Sequence, residues 1–325
     1  MIDIKNIIIN NYWVRGLIGA IFWVTLLGAS LIILPWLERK VVARVQHRYG
    51  PNRVGPFGIL QLVVDSIKLL TKEDIVPKNA DKFVFNLAPI IAFMLALVVF
   101  VNIPLSPTLV ASNLNVGILY ILAVSSLSAV IYLLTGWAPN NKFNLLGGMR
   151  AAAMMVAYEI PMALAVIGVI MMAGSVNLVD IVEAQSRIWF IIPQILGFLI
   201  FMVAAFAECG RLPFDLAEAE SELVQGWTTE YSAMKFAMLL FAEYGHTILA
   251  AFLVTLLYLG GWHGPLLPGP IWVLLKTFLI IIFFMYMRGV LPRVRIDQFL
   301  NIGWKVLIPL ALLNIFLTGI GVISI

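Results

Sequence analysis

The sequence predicts an all-α polytopic membrane protein with about eight transmembrane helices and one interfacial amphipathic helix. Three observations carry this. The 325-residue chain is 62% hydrophobic and 12% charged, with a mean hydropathy of +1.00. Soluble domains run about half apolar and about a quarter charged. The apolar residues gather into eight runs of spanning length, and the basic residues cluster in every second connection between those runs.

A span needs about 17–25 predominantly apolar residues, and the eight runs are 16–36, 83–103, 116–137, 151–173, 188–207, 236–259, 271–287 and 306–325. Five of them contain no charged residue. Pro89, Pro161, Pro193 and Pro309 fall inside runs, which neighbouring helices in a bundle can accommodate. The first run is too long for a removable signal peptide and lacks a small-residue cleavage site. There is no internal repeat and no soluble domain, so 1–325 reads as a single membrane domain. The odd-numbered connections (37–82, 138–150, 208–235 and 288–305) carry nine, two, two and four Lys or Arg, which is 17 of the 21. Among the even ones only Arg187 is basic; Lys5 and Arg15 precede the first run and Lys276 lies within the seventh. The positive-inside rule then places the odd connections in the cytoplasm and both termini outside.

The ligand inventory is poor. A single cysteine, Cys209, excludes a disulfide framework, a Cys-ligated iron–sulfur cluster and a thiolate zinc site. His47, His246 and His263 are widely scattered, and no phosphate loop or dinucleotide fingerprint is present. No metal site is expected, and no catalytic residue is assigned. Any redox cofactor belongs to a partner or is a diffusible lipid. The formal charge of +4 reports membrane topology rather than nucleic acid.

Two connections exceed what a tether requires. The first opens with Glu38-Arg39-Lys40 and runs through Gln46-His47-Arg48-Tyr49-Gly50-Pro51-Asn52-Arg53-Val54-Gly55-Pro56. Its Gly and Pro residues set fixed turns among Arg44, Arg48 and Arg53. A helix is predicted from Phe57 to about Lys72, with Gln61, Asp65, Lys68 and Lys72 in one polar stripe. Such a helix suits the membrane interface or a subunit contact, whereas a loop that only fixed topology would need far fewer basic residues. The fifth connection inverts the sign. Glu208, Asp215, Glu218, Glu220, Glu222 and Glu230 face Arg211 and Lys235, a formal charge of −4. If 215–222 is helical, Asp215, Glu218 and Glu222 share a face, and crowding of like charges makes them a proton store. A solvated acidic loop is the bland alternative.

Charges within spans are the third signal. Glu159 and Glu243 lie in the fourth and sixth runs, with His246 one turn beyond Glu243. A carboxylate at mid-bilayer costs about 2.5–3.5 kcal/mol on insertion scales, so such groups usually face the bundle interior and serve an ion or proton path. Lys276 is a further candidate for that path, although a lysine six residues into a span can also snorkel outward. His246 reads as a packed polar residue.

Over essentially its whole length the chain resembles the quinone-chamber membrane subunit of respiratory complex I. The resemblance rests on Glu38-Arg39-Lys40, on the Gln46–Gly55 loop, and on Leu60-Gln61-Leu62-Val63-Val64-Asp65-Ser66-Ile67-Lys68. It continues through Tyr158-Glu159, Glu208-Cys209-Gly210-Arg211-Leu212-Pro213-Phe214-Asp215 with Glu218, Glu220 and Glu222, and Glu230-Tyr231-Ser232. Glu243-Tyr244 and Arg288 with Leu291-Pro292-Arg293-Val294-Arg295-Ile296-Asp297-Gln298 complete it. The family pattern usually carries Gln and Ser where this chain has Met154 and Ala157.

The resemblance implies a membrane subunit of a proton-pumping NADH:quinone oxidoreductase, a translocase of the respiratory electron-transport chain in a bacterial inner membrane. It would form the quinone-access tunnel, dock the peripheral arm and couple quinone reduction to proton movement. The tunnel and coupling residues implied are Glu38, Arg39, Gln46, Arg48, Arg53, Asp65, Lys68, Glu208, Arg211, Asp215, Glu218, Glu220, Glu222, Glu230, Arg288, Arg293 and Arg295; Glu159, Glu243 and Lys276 form the intramembrane path. FMN and iron–sulfur clusters would sit in hydrophilic partner subunits, quinone would be the substrate, and small membrane-arm subunits and lipid would be the neighbours. Two alternatives remain. The docking subunit of an energy-converting hydrogenase shares the Pro-Phe-Asp and Glu-Ala-Glu stretch; a secondary transporter usually shows inverted repeats, and no corresponding halves are found.

Overall fold

The computed structural model describes residues 12–265 and 267–323, and among these there is no β-strand. Twelve α-helices are used below: α1 Tyr12–Val45, α2 Gln61–Thr71, α3 Lys82–Val98, α4 Gly117–Trp137, α5 Lys142–Ala173, α6 Leu178–Ala184, α7 Ile195–Glu208, α8 Glu220–Leu223, α9 Ala233–Leu257, α10 Gly269–Val290, α11 Ile296–Asn301 and α12 Ile308–Ile323. Among the described residues seven helical stretches are long and apolar enough to cross a membrane: Gly16–Val45, Lys82–Asn102, Gly117–Trp137, Lys142–Ala173, Ala233–Leu257, Gly269–Val290 and Ile296–Val322. The run at 188–207 is shorter than expected. Pro193 lies in a turn, and only the 14 residues of α7 are helical. At about 1.5 Å per residue that is about 21 Å, less than a bilayer core.

Helices also outrun their apolar cores. α1 continues through Glu38-Arg39-Lys40 to Val45, so the first connection is helical for its opening residues. α5 starts at Lys142, where Asn141 caps it by accepting from the Phe143 amide at 3.0 Å. Asp81 caps α3 in the same way. The last crossing is one continuous helical run with a π-helical turn at Ile302–Leu307, where the Ile308 amide reaches back to Gly303. Pro309 follows directly; it has no amide to donate and its ring crowds the carbonyl four residues back, so the wider turn absorbs the break. Residues 324–325 of the eighth run, and Lys5, lie outside the described residues.

α5 and α9 are the two hubs. α5 packs against α4, α7 and α12, while α9 packs against α3, α10, α6, α7 and α1. α9 is buried over most of its length; α1 and α12 present Leu17, Ile21, Leu312 and Phe316 outward, as lipid-facing helices do. At the α4–α5 crossing a Cβ on Gly136 would meet the Gly148 Cα at 2.7 Å, so glycine on both sides permits the close approach. α2 packs on α1 and α9 and leaves Val63, Val64, Ile67 and Leu70 exposed, the amphipathic character read from the sequence. It begins at Gln61, after a separate 3-10 turn at Pro56–Gly58, rather than at Phe57.

The acidic connection departs most from expectation. Between α7 and α9 the only α-helical turn among the described residues is α8, so Asp215, Glu218 and Glu222 do not share a helical face. Turns and bends instead let each carboxylate go its own way.

Candidate functional site

The segment around Arg211 is held by three local contacts. The Phe214 amide donates to the Arg211 carbonyl at 2.8 Å, and the Val294 amide donates to the Pro213 carbonyl at 3.1 Å. Phe214 packs with Phe299 and Tyr158 at centroid distances of 4.9 and 5.9 Å. Tyr158 in turn donates to the Phe299 carbonyl at 2.9 Å. The acidic connection is thereby fastened to α5 and to the last basic connection. Gly226, at φ 59°, lets the chain turn back onto Ala217, where any Cβ would strike the Ala217 carbonyl.

These supports place a buried ion network between α1, α9 and α10. Arg211 Nη1 donates to both oxygens of Glu38 at 3.1 Å. Tyr244 Oη donates to Glu38 Oε2 at 2.7 Å, and Arg288 Nη1 also bonds Glu38. On its other side Arg211 Nε lies 2.9 Å from Glu243 Oε1, an ion pair without hydrogen-bond alignment. The guanidinium stacks 4.2 Å from the Tyr244 ring. Glu38 and Arg211 are buried, at 7% and 8% exposure, so their mutual pairing is what makes either charge tolerable.

Two spaces adjoin the network. A cleft of about 370 Å³ is lined by Glu38, Arg39, Val42, Arg48, Tyr49, Gly50, Pro51 and Arg288. Its wall is built by the Gly/Pro loop folding against α1: Lys40 Nζ bonds Asn52 at 2.5 Å and Arg48 Nε bonds Gln46 at 2.9 Å. On the opposite side of Arg211 lies a cavity of about 30 Å³, with Glu208, Glu218, Glu243, Met154 and Tyr132 among its lining residues. That is room for a few waters at most. Glu208 Oε1 and Glu159 Oε1 are buried without a hydrogen-bond partner, and Glu159 is near enough to Glu208 for its charge to be felt there. Burial first, then the neighbouring Glu243 and Asp215, holds the Glu218 carboxyl well above the usual carboxylate range, although Arg211 opposes this.

The structure thus brings together Glu38, Arg39, Arg48 and Arg288 at the cleft, Arg211 and Glu243 at the centre, and Glu208, Glu218 and Glu159 on the inner side. Asp215 stands beside Glu218 and pairs with Arg293 at 3.2 Å. Other candidates lie apart from the cluster. Arg39 reaches Asp65 at 2.8 Å, and Gln61 bonds the same carboxylate at 3.0 Å. Arg53 and Lys68 are exposed, and Arg295 pairs with Asp297 at the surface. Glu222 is taken by Arg150 at 2.5 Å, and Glu230 by Asn141 at 2.7 Å. The Glu220 side chain lies outside the described residues.

His246 does not join Glu243; it lines a separate cavity of about 10 Å³ with Ser128, Tyr132 and Trp227. Lys276 is likewise apart, at the far end of α9. Met154 fills its place in the acidic cavity with a thioether, and the Ala157 carbonyl packs against Gly303. Sequence reasoning gives Tyr244 no role of its own, although its position next to Glu243 is the available signal. Among the described residues no three His, Cys, Asp or Glu side chains gather as a metal site.

The fold and this network define a multi-pass membrane protein that keeps titratable charge beneath a polar cleft. A family model described as NADH dehydrogenase matches residues 18–319. The chain is 49% identical over 313 residues to the NADH-quinone oxidoreductase H subunit of Anoxybacillus flavithermus, covering 93% of this chain and 94% of that protein. It is 47% identical over 324 residues to an H subunit of the same name in Syntrophobacter fumaroxidans, covering 96% and 98%. With its counterpart in Dehalococcoides mccartyi it shares 45% over 314 residues, covering 97% and 89%. The chain belongs to the NADH dehydrogenase family that contains these NADH-quinone oxidoreductase proteins.

Proposed function

We propose that the chain is the membrane subunit of a proton-translocating NADH:quinone oxidoreductase that admits quinone from the lipid and couples its reduction to proton movement. One observation carries this reading. An unbroken line of contacts runs from the 370 Å³ cleft through Glu38, Arg211 and Glu243 to the cavity holding Glu218 and Glu208. In this reading the quinone headgroup comes to the cleft among Arg39, Arg48, Tyr49 and Arg288. Hydrophilic partner subunits bring electrons through FMN and iron–sulfur clusters, since a single cysteine cannot ligate such a cluster.

Reduction places negative charge near Arg288 and Glu38. Arg211 is held by carboxylates on both sides, so a charge arriving at the cleft changes its balance between Glu38 and Glu243. A carboxylate that loses part of its partner then takes up a proton. Glu218 is already inclined to hold one, and Glu208 and Glu159 continue the line into α5. The remaining candidates, Gln46, Arg53, Asp65, Lys68, Arg293 and Arg295, shape the loop walls and the contact with the peripheral arm. Small membrane-arm subunits and lipid cover the outer faces.

The test uses the assembled complex with Glu218→Lys or Arg48→Glu. Electron transfer from NADH to ferricyanide stays near normal, while transfer to quinone falls about tenfold or more, about 1.4 kcal/mol of lost stabilisation. Equal loss of both activities indicates damaged docking of the arm. Normal quinone activity in both variants sinks the assignment, and hydrogen evolution without quinone reduction favours the hydrogenase-type alternative.

The distribution of Lys and Arg supports cytoplasmic odd connections and outward termini. In a Cys209→Ser background, a cysteine at Leu267 is expected to label with an impermeant thiol reagent added to intact cells, whereas one at Asn52 is protected. Labelling of Asn52 from outside reverses the orientation.

A further inference from the structure

Where α3 starts, α4 ends and α5 starts, the chain encloses a pocket of about 550 Å³ whose lining shares no residue with the buried ion network. Small-molecule sites run about 300–1,000 Å³. One part of the lining is polar, with Asn79, Asp81, Asn140 and Lys142; the rest includes the apolar Trp137 and Leu145. Two cross-links hold the connections that frame it. The Asp81 amide donates to the Ala138 carbonyl at 3.0 Å, and Asn140 Nδ2 donates to the Asn79 carbonyl at 3.4 Å. Asn140 sits at φ 54°, a left-handed conformation that asparagine adopts more readily than most residues. Asn141 accepts from the Phe143 amide and donates to Glu230 at 2.7 Å, which fastens this corner to the acidic connection.

The lining offers one carboxylate and one ammonium. Asp81 caps α3 through Oδ1, which accepts from the Phe83 and Val84 amides at 3.1 and 3.2 Å. An ionised carboxylate has about four acceptor sites, so the cap does not exhaust it. Lys142 is exposed beside the Phe143 ring at 5.3 Å and carries three donors. Opposite charges, asparagine amides and an indole together suit a zwitterion. Asp81 and the Trp137 ring can receive a primary ammonium, while Lys142 and the Asn79 amide can donate to a phosphate. The apolar side indicates what carries that zwitterion. Trp137 is 52% exposed, and Leu133, Leu146 and Met149 continue the exposed surface along the spanning helices α4 and α5. Indoles gather at the membrane–water interface, and such an apolar continuation suits acyl chains.

We propose that this pocket binds the headgroup of an aminophospholipid, a lipid that joins a phosphodiester to a primary ammonium as phosphatidylethanolamine does. Its acyl chains lie along the exposed faces of α4 and α5. Lys78 and Lys82 are exposed next to Asn79 and Asp81 and add attraction for phosphate. The carboxylate within the lining favours a headgroup that also brings a cation, and a quaternary ammonium has no N–H to give it. In the orientation proposed above the pocket opens on the cytoplasmic leaflet, because 37–82 and 138–150 are both odd connections.

The experiment places the complete complex in phosphatidylcholine vesicles containing a trace of phosphatidylethanolamine with a photoreactive group on its acyl chain. Cross-linked peptides are then identified by mass spectrometry. Label is expected within 133–149, and unlabelled phosphatidylethanolamine is expected to displace it at a lower mole fraction than phosphatidylglycerol does. Soluble O-phosphoethanolamine is expected to displace none. Asp81→Asn retains a good capping residue for α3. It is expected to cut this labelling about threefold to fivefold, as loss of a partly exposed charge contact does, and to turn the preference toward phosphatidylglycerol. Lys142→Met is expected to weaken labelling by analogues of both lipids. Absence of label within 133–149 overturns the proposal, since a neighbouring subunit would then cover the pocket. Equal displacement by every lipid overturns it in favour of an unselective lipid shell, and displacement by O-phosphoethanolamine in favour of a soluble ligand. Unchanged selectivity in Asp81→Asn overturns the headgroup assignment. If Lys142→Met fails to assemble, judged by flavin and iron content, Asp81→Asn decides alone; failure of both makes these charges structural and overturns the site. No measurement here involves turnover, so the lipid site and the quinone reading stand or fall separately.

Discussion

The two ends of the α9–α10 pair bury charge in opposite ways. At the cleft end, Glu38, Arg211, Glu243 and Arg288 neutralise one another, and each charge depends on a partner that is itself charged. At the far end a single ammonium is satisfied by three neutral carbonyls and two aromatic faces. The first arrangement can be rewritten by one proton or one arriving charge, since altering any member changes the balance of the rest. The second depends on no charged partner, since its contacts are carbonyls and ring faces. Burial of charge is thus not one device here: paired ions make a responsive site, and a carbonyl cage holds a lone charge without a counter-ion.

The largest effect that separates these ends is expected at Arg211. Arg211→Met removes the common partner of Glu38 and Glu243, so the interior is left with two carboxylates against one cation, Arg288, which reaches only Glu38. Breaking a buried pair by deleting one member costs about 3–5 kcal/mol. The variant is therefore expected to lose most assembled complex on a native gel. Combining it with Glu38→Gln and Glu243→Gln removes the stranded charges and is expected to restore much of the assembly, while quinone reduction stays absent. If the single variant assembles normally, the network is not the electrostatic keystone of this end. If the triple variant assembles no better than the single one, shape rather than charge explains the loss.

Much of this architecture is legible in the residues. Apolar runs of spanning length predict the bundle, since lipid leaves a helix little choice but to be apolar outside and hydrogen-bonded within. The one crossing that departs, 188–207, reads as continuous hydrophobicity, yet Pro193 lies in a turn and confines the helix to Ile195–Glu208. Hydropathy cannot see a missing amide donor. Within the site, Glu38, Arg211, Glu243 and Glu218 are all identifiable as charges in apolar or acidic company. Their partners are not, because Glu38 and Arg288 are 250 residues apart and meet only through tertiary packing. The helical face expected for Asp215, Glu218 and Glu222 fails for a local reason: Pro213 and the tight turns around Arg211–Phe214 and Phe214–Leu216 leave a helix only from Glu220. Lys276 shows the sharpest limit. An intramembrane lysine marks a special site, but the three backbone carbonyls that hold it come from a turn that no sequence spacing reveals.

The smallest expected effect sharpens the comparison from outside the bundle. Arg39 and Asp65 also form an ion pair, at 2.8 Å, only one residue from Glu38 along α1. Their side chains are 54% and 33% exposed, so water already solvates both charges. Exposed pairs typically contribute about 0–1 kcal/mol. Asp65→Asn keeps the shape and the hydrogen-bonding capacity toward Gln61, so the complex is expected to assemble fully and to denature within a few degrees of the native protein. Repeating the measurement at high salt should narrow even that small difference, since screening weakens the pair in the native protein and the variant has no pair to screen. A loss of assembly comparable to Arg211→Met would show that proximity to the cleft, rather than burial, sets the value of an ion pair here. A quinone-specific loss of activity with normal assembly would instead assign Asp65 to the path the headgroup takes along α2, and would extend the functional wall beyond the buried network.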